Sequence, residues 1–187
     1  MGLHSRKPAV LVLEDGRVFK GRAFGAEGEF TGEVVFNTAL SGYQEILTDP
    51  SYTGQFVTLT MPIIGIVGVN DGDDESCGPQ AKGMIVRECS RIVSNFRSQM
   101  SLPDYLVKHN ICGIEGIDTR ALVLHIRNRG SMNGIVSSVD FDIDSLRTKL
   151  ARAPQMDGLD LASKVTCREP YTFDPSDGEI WHQPFAA

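Results

Sequence analysis

Short apolar runs separated by glycine, proline and acidic residues dominate the first half of the chain. Residues 9–13 are uniformly apolar, which is typical of a buried strand. Residues 14–17 contain an Asp-Gly pair, a strong hairpin signal, so residues 18–24 are predicted as the returning strand. Further strands are predicted over residues 34–38 and 55–61, where β-branched and apolar residues cluster. This pattern favours an antiparallel hairpin followed by more sheet.

A polar turn interrupts the predicted strands. Ser41 is placed to cap a short helix over residues 42–47, and the pair Asp49-Pro50 ends it because proline disfavours helix in the residue before it. The segment from Gly42 to Tyr52 is densely polar for its length. Ligand contacts concentrate on loops that strands hold in place, so this segment is the first candidate site.

The second half alternates strands and helices. The predicted strands are residues 83–86, 111–117 and 135–137. The predicted helices are residues 102–109, 120–129 and 144–152. Ser101 is the expected cap of the first helix, and Asp118 or Thr119 that of the second. Helices between strands require crossover connections, so some of the sheet is expected to be parallel. Residues 65–83, rich in glycine and acidic residues, predict a long loop that is functional or mobile.

Length and composition fit one ordinary domain with a weaker extension. The chain has 187 residues, of which 41% are hydrophobic and 22% charged, a globular composition. We predict an amino-terminal tail over residues 1–8, a domain over residues 9–153 and an extension over residues 154–187. Trp181 and Phe185 in the extension either fold back on the domain or pack on a part of the protein outside this chain.

Charge and hydropathy argue against two classes of partner. With 18 basic and 24 acidic residues, the net charge of −6 argues against nucleic-acid binding and provides no strong steering of a charged partner. No apolar run approaches the ~18 residues of a membrane span. The polar start, Met1 to Pro8, lacks the apolar core of a signal peptide. We therefore expect a cytoplasmic protein that binds neither nucleic acid nor membrane.

Residues that usually carry chemistry are scattered, and no phosphate-loop, dinucleotide or serine-elbow motif is present. The four cysteines are Cys77, Cys89, Cys112 and Cys167. None forms a C-x-x-C pair, so we expect reduced thiols without zinc, with Cys89 and Cys112 in the core. His125 is expected to pack rather than to act as a base, and the acidic run Asp71–Glu75 to be a solvated loop. Arg120 and the pair Arg127/Arg129 are either anchors for a partner or charges that favour the helix.

Two stretches resemble the small subunit of glutamine-hydrolysing carbamoyl-phosphate synthetase. Residues 32–38 read Gly-Glu-Val-Val-Phe-Asn-Thr, and residues 41–52 read Ser-Gly-Tyr-Gln-Glu-Ile-Leu-Thr-Asp-Pro-Ser-Tyr. Three more segments agree in the same order, residues 12–16, 94–97 and 116–122. The resemblance extends over roughly residues 9 to 170.

The resemblance implies a fold and a role. The implied fold is α/β, a three-layer β/β/α swivelling-type domain with mixed parallel and antiparallel sheets. In this family a second domain of the same subunit releases ammonia from glutamine with a cysteine nucleophile. A large subunit, with ATP and magnesium, then makes carbamoyl phosphate for arginine and pyrimidine synthesis. No cysteine here lies in a G-x-C-x-G elbow, so we expect the glutaminase domain to be absent from this chain, the chain to bind no cofactor, and the chain alone to be inactive.

By the same resemblance Ser51 lies at the glutamine site, across the boundary with the glutaminase domain. The alternative is that Ser51 only stabilises its own turn. The expected partners are the large subunit and that glutaminase domain. Met61 and Ile66 replace an aromatic residue and an asparagine of the family pattern, and Leu124 replaces a basic residue, which weakens the expectation of an ionic contact from that helix. A stand-alone interaction module without glutaminase activity is the competing interpretation.

Overall fold

A closed barrel of seven strands forms the centre of the computed structural model, which describes residues 6–156, 158–167, 169–170 and 172. The barrel strands are β1 (Pro8–Leu13), β2 (Val18–Ala23), β3 (Glu29–Asn37), β4 (Gln55–Leu59), β6 (Gly83–Ile85), β8 (Cys112–Glu115) and β9 (Met132–Ser137), in the order β1-β2-β8-β6-β4-β3-β9. Two short strands, β5 (Ile63–Ile64) and β7 (Glu88–Cys89), pair in parallel as a separate sheet.

The barrel mixes antiparallel and parallel pairing. β1 and β2 form the predicted hairpin, and Gly16 in its turn has φ 88°, a left-handed conformation that favours glycine. The strands β3, β4, β6 and β8 are parallel neighbours. β9 pairs antiparallel with both β1 and β3 and thereby closes the barrel. The fold is therefore mixed α/β, as the sequence pattern predicts.

The helices of the structure are α1 (Tyr43–Thr48), α2 (Leu102–Lys108), α3 (Thr119–Arg129), α4 (Ile143–Leu150) and α5 (Ala162–Val165). Ser101 caps α2 by accepting the N–H of Asp104, as predicted. Of the two candidate caps of α3, Asp118 is the one whose carboxylate accepts an N–H, that of Ala121. None of the described helices is long and apolar enough to cross a membrane.

One predicted cap and two predicted strand starts are wrong. Ser41 does not cap α1, because Gly42 occupies the cap position and no side chain accepts a helical N–H there. β3 begins at Glu29 rather than Val34, and β9 at Met132 rather than Ile135. The extra residues lie in the pairing between these two strands, from Glu29 opposite Ser137 to Val34 opposite Met132. The extra residues of both strands carry no clear apolar alternation in the sequence, so the local pattern conceals them.

Three apolar clusters stabilise the fold. The first contains residues from all seven barrel strands, among them Leu11, Phe56 and Ile114, and so fills the barrel interior. Leu122 and Ile126 of α3 belong to the same cluster. A second cluster packs α1 and α2 against β4 and β6, and a third packs α4 against β1 and β9. Cys89 and Cys112 are buried, as predicted.

The barrel also holds residues on either side of the predicted domain. Ala23 donates its N–H to the carbonyl oxygen of Lys7, at 2.8 Å, which fixes the segment before β1. On the other side, Asn133 Nδ2 donates to the carbonyl oxygen of Pro154, at 3.3 Å. Trp181 and Phe185 lie outside the described residues.

Candidate functional site

The polar segment identified in the sequence forms α1 and a short 3₁₀ turn, Pro50–Tyr52. Gly42 begins it at φ 79°, in the left-handed region. Asp49 ends α1, and its Oδ1 accepts the N–H of Ser51 at 2.8 Å. Pro50 fixes its own φ between them. The position of Ser51 is therefore set by the chain before any ligand arrives.

The backbone of Ser51, not its hydroxyl, holds this turn. Ser51 is exposed, and no described residue hydrogen-bonds its Oγ. The hydroxyl that does brace the turn belongs to Thr53, whose Oγ1 donates to the carbonyl oxygen of Pro50 at 2.7 Å. Because the turn is held by the Ser51 N–H and the Thr53 hydroxyl, the Ser51 hydroxyl remains available to a ligand. Its contact with glutamine stays a prediction.

Buried side chains of α1 hold the long loop predicted over residues 65–83, and Gln44 makes the most contacts. Gln44 is 3% exposed; its Oε1 accepts the N–H of Asn70 at 3.0 Å, and its Nε2 donates to the Asn70 carbonyl oxygen at 2.5 Å. Tyr43 adds a bond from its hydroxyl to the carbonyl oxygen of Gly68, at 2.5 Å. The sequence analysis missed Gln44 as a structural residue, although a glutamine next to a row of buried apolar positions was the available signal.

The acidic run in this loop is only partly solvated. Asp71 and Glu75 are exposed, as predicted. Asp74 instead accepts from Gln44 Nε2 at 2.6 Å, and Asp73 forms an ion pair with Arg97 at 2.7 Å. The prediction of a solvated loop is therefore wrong for these two carboxylates. Asp74 holds the loop to α1, and Asp73 holds it to the segment that contains Arg97.

His125 packs as a satisfied side chain, as predicted. Its Nε2 lies 2.7 Å from Asp15 Oδ2, and its Nδ1 lies 2.9 Å from a guanidinium nitrogen of Arg17. Burial raises the pKa of Asp15, but hydrogen bonds from the Arg17 N–H and from His125 outweigh it, so the pKa of this carboxyl is lowered. Over the described residues, no group of three or more histidine, cysteine or acidic side chains could hold a metal ion.

The cysteines lack the environment of a nucleophile. Burial raises the pKa of the Cys89 thiol to about 11, and burial raises the pKa of Cys112 as well. Cys77 and Cys167 are exposed. In the described part of the chain, no cysteine hydrogen-bonds a histidine; the two buried thiols contact backbone carbonyl oxygens of Ser90 and Lys82. A thiolate–base pair for glutamine hydrolysis is therefore not formed within this part.

The Ser51 turn is an open surface and not part of a closed pocket. The neighbouring cavity, of about 460 Å³, is lined by Thr53 and Gly54 but not by Ser51. Ser51 and Leu40, which precedes α1, are both exposed, so Ser51 alone does not enclose a ligand.

Comparison with known proteins matches residues 11–136 to the family model described as the carbamoyl-phosphate synthase small chain, CPSase domain. The chain is 58% identical over 163 residues to the carbamoyl phosphate synthase small chain of Syntrophotalea carbinolica, covering 87% of this chain and 43% of that protein. It is 51% identical over 181 residues to that of a Synechococcus species, covering 97% and 46%. It is 52% identical over 168 residues to that of Escherichia coli O6:H1, covering 89% and 44%. The chain thus spans less than half the length of these relatives.

Proposed function

Because the chain belongs to the carbamoyl-phosphate synthase small chain family, we propose that it forms the amino-terminal assembly domain of the subunit that supplies ammonia from glutamine to carbamoyl-phosphate synthetase. The observation that carries this proposal is the family match over residues 11–136, which includes every barrel strand in whole or in part and the Ser51 turn. The proposed setting is cytoplasmic, in arginine and pyrimidine synthesis.

In this function the chain contributes a rigid wall to a site shared with a glutaminase domain. Glutamine carries a charged amino group and a carboxylate, which short polar partners bind without crowding. The Ser51 hydroxyl is such a partner, because the Asp49-Pro50 turn presents it outward. The thiol nucleophile comes from the glutaminase domain. ATP and magnesium act on the large subunit, and this chain holds no cofactor of its own.

We extend the proposal to the finer description of the fold. A closed barrel with helices on its outside can be divided into two facing sheets and a helical layer. The helical layer would be α1 and α2, which pack against β4 and β6. This division corresponds to the three-layer β/β/α arrangement implied by the resemblance.

A chimera tests the proposed function directly. Residues 1–187 would be fused to the portion of the Syntrophotalea carbinolica small chain that follows the aligned region, and assayed with the large subunit of that organism. We expect glutamine-dependent carbamoyl phosphate synthesis by the chimera. We expect no glutamate release above background from the 187-residue chain alone. The control is the added portion without residues 1–187, which should not support the reaction with glutamine.

Two outcomes would contradict the proposal. One is a folded chimera that binds the large subunit but does not use glutamine, while ammonia-dependent synthesis proceeds normally. That result would favour the stand-alone interaction module. The other is glutaminase activity in the 187-residue chain itself, because the described residues contain no thiol paired with a base.

A further inference from the structure

The outward face of α3 differs from an ordinary solvated helix face. Arg120, Val123, Leu124 and Arg127 follow the i, i+3, i+4, i+7 spacing of a single face. The buried residues of α3, among them Leu122 and Ile126, occupy the other side and contact the barrel interior. The outward face therefore places an apolar pair between two arginines. Leu124 is 37% exposed, where the solvated side of a helix normally carries polar side chains.

This face borders a groove of about 480 Å³, here called the α3 groove (Pro62, Arg87, Arg120, Val123, Leu124 and Arg127). Pro62 comes from the turn between β4 and β5, and Arg87 from the turn between β6 and β7. Three separate segments therefore meet at one concave surface. Its apolar lining comes from Pro62, Val123 and Leu124, and its charges are all positive.

The charge of the α3 groove is opposite to that of the whole chain. No acidic residue lines it, although the chain carries 24 acidic and 18 basic residues. Among the described residues, Arg87, Arg120 and Arg127 form no ion pair and no side-chain hydrogen bond. Two acids are near these arginines in sequence: Asp118 has its Oδ1 engaged by the N–H of Ala121 at the start of α3, and Glu88, next to Arg87, lines an adjoining cavity rather than the groove. The three exposed guanidinium groups therefore remain available to carboxylates.

The positive field continues beyond the groove through Arg87. That residue also lines an adjoining cavity of about 590 Å³, together with Lys20, Arg22 and Arg91. Of the two acids in this second cavity, Glu115 is neutralised by Arg6, which leaves Glu88. A partner that approaches this side meets a local excess of cations, which the net charge of −6 conceals.

We propose that the α3 groove is a docking site for an acidic segment of the synthetase large subunit, which places an apolar side chain against Val123 and Leu124 and carboxylates against Arg120, Arg127 and Arg87. This inference rests on the proposed function. Charge complementarity selects the occupant: an apolar centre rimmed by arginines is complementary to an apolar side chain flanked by acids. Leu124 supplies that centre at the position where the family often has a basic residue.

Binding of the 187-residue chain to the purified large subunit tests this assignment by titration calorimetry at about 0.1 M and about 1 M salt. The test variant is Arg120→Glu with Arg127→Glu. The matched control is Lys108→Glu with Arg152→Glu, the same charge change at exposed positions on α2 and just after α4. We expect the test variant to bind about tenfold more weakly or worse at low salt, and the control to bind like the wild type. The difference should shrink at high salt, where charges are screened.

Two further variants separate a loss of binding from a loss of folding: one that neutralises the arginines without reversing their charge, and one that changes the apolar centre. Arg120→Gln with Arg127→Gln should give a smaller loss in the same direction, and Leu124→Asp should weaken binding at both salt concentrations. If the wild type binds and the groove variants bind equally well, the docking site is wrong while the proposed function stands. If the wild type does not bind the large subunit at all, the partnership in the proposed function fails, and the docking site fails with it.

If the groove binds something other than the large subunit, the groove variants should lose that other interaction instead. If the groove variants abolish a concentration-dependent dimer of the chain, seen by sedimentation, and leave large-subunit binding unchanged, the groove is a contact between copies. If they abolish binding of a single-stranded oligonucleotide instead, the field serves nucleic acid. Either result would overturn the proposal.

Discussion

The guanidinium group of Arg6 lies against the carboxylate of Glu115, and both side chains are 11% exposed. The pair joins the first described residue of the chain to β8. Glu115 Oε2 also accepts the N–H of Cys89 at 3.0 Å, and Arg6 donates to the Cys89 carbonyl oxygen at 3.1 Å. One carboxylate thus holds the amino-terminal segment, β7 and β8 together.

Replacing Arg6 should therefore lower the stability of the fold, although the residue precedes the first strand. Arg6→Ala leaves the Glu115 carboxylate nearly buried without its cation, and we expect the free energy of unfolding in urea to fall by about 3 kcal/mol. Adding Glu115→Gln removes the uncompensated charge and keeps an acceptor for the Cys89 N–H, so the double variant should be more stable than Arg6→Ala alone. Simple addition of the two single losses would show that the pair is not coupled.

Substitution of Ser51 should affect glutamine and not stability. In the chimera, Ser51→Ala removes one neutral hydrogen bond, worth about 0.5–1.5 kcal/mol, so the KM for glutamine should rise several-fold while ammonia-dependent synthesis is unchanged. Ser51→Phe should have a larger effect, because the ring fills the space for the ligand. The matched control is Thr53→Ala, which loses the bond to the Pro50 carbonyl oxygen and should lower the melting temperature without changing the KM.

The opposite pattern would support the alternative role of Ser51. If Ser51→Ala lowers the melting temperature as much as Thr53→Ala does, the hydroxyl serves its own turn. A Ser51→Phe chimera that uses glutamine normally would remove this residue from the site.

The four thiols should separate into two classes. Cys77 and Cys167 are exposed, whereas burial raises the pKa of Cys89 to about 11 and also raises that of Cys112. Because the thiolate is the reacting form, we expect two fast and two slow thiols with a disulfide reagent at about pH 8. Cys77→Ser with Cys167→Ser should remove the fast phase entirely. A fast phase that survives in this variant would place a third reactive thiol at the surface.

Acid should remove the stabilisation that Asp15 provides. Its pKa is lowered in the folded chain, so its contribution is present above the ordinary carboxyl pKa of about 4 and is lost as the pH falls through the lower folded value. Asp15→Asn keeps a good hairpin turn, because Asn-Gly also suits it, and should cost about 1 kcal/mol at neutral pH. The difference from the wild type, followed by urea unfolding, should shrink as the pH falls below the ordinary carboxyl pKa and disappear once Asp15 is protonated in the folded chain as well.

The sequence predicted best what is local. The Asp15-Gly16 turn and the Ser101 cap each depend on a few adjacent residues, and both are found in the structure. The closure of the barrel depends instead on β9 pairing with both β1 and β3. Such pairing is decided by packing across the whole chain, so the start of β3 at Glu29 was missed.

In the candidate site too, the local features could be predicted from the sequence and the long-range contacts could not. The Asp49-Pro50 turn and its outward Ser51 were evident from short-range signals and from the resemblance. Gln44 meets Asn70 across 26 positions, and Arg6 meets Glu115 across 109. No local pattern pairs residues so far apart. The sequence named Arg120 and Arg127 as possible anchors for a partner, but it did not show that they share a concave surface with Arg87. The net charge conceals this surface, because it averages over surfaces of opposite sign.

The two bonds between Gln44 and Asn70 reproduce, with a side chain, what one strand residue exchanges with its antiparallel neighbour. A primary amide has the donor and acceptor of a peptide group, so Gln44 serves the loop as a strand of one residue. The amide proton of Asn70 is then shielded like a sheet proton, although it lies in the loop between β5 and β6 and not in a strand. Solvent deuterium should therefore enter the loop last at this position, and Gln44→Ala should open the segment without melting the barrel.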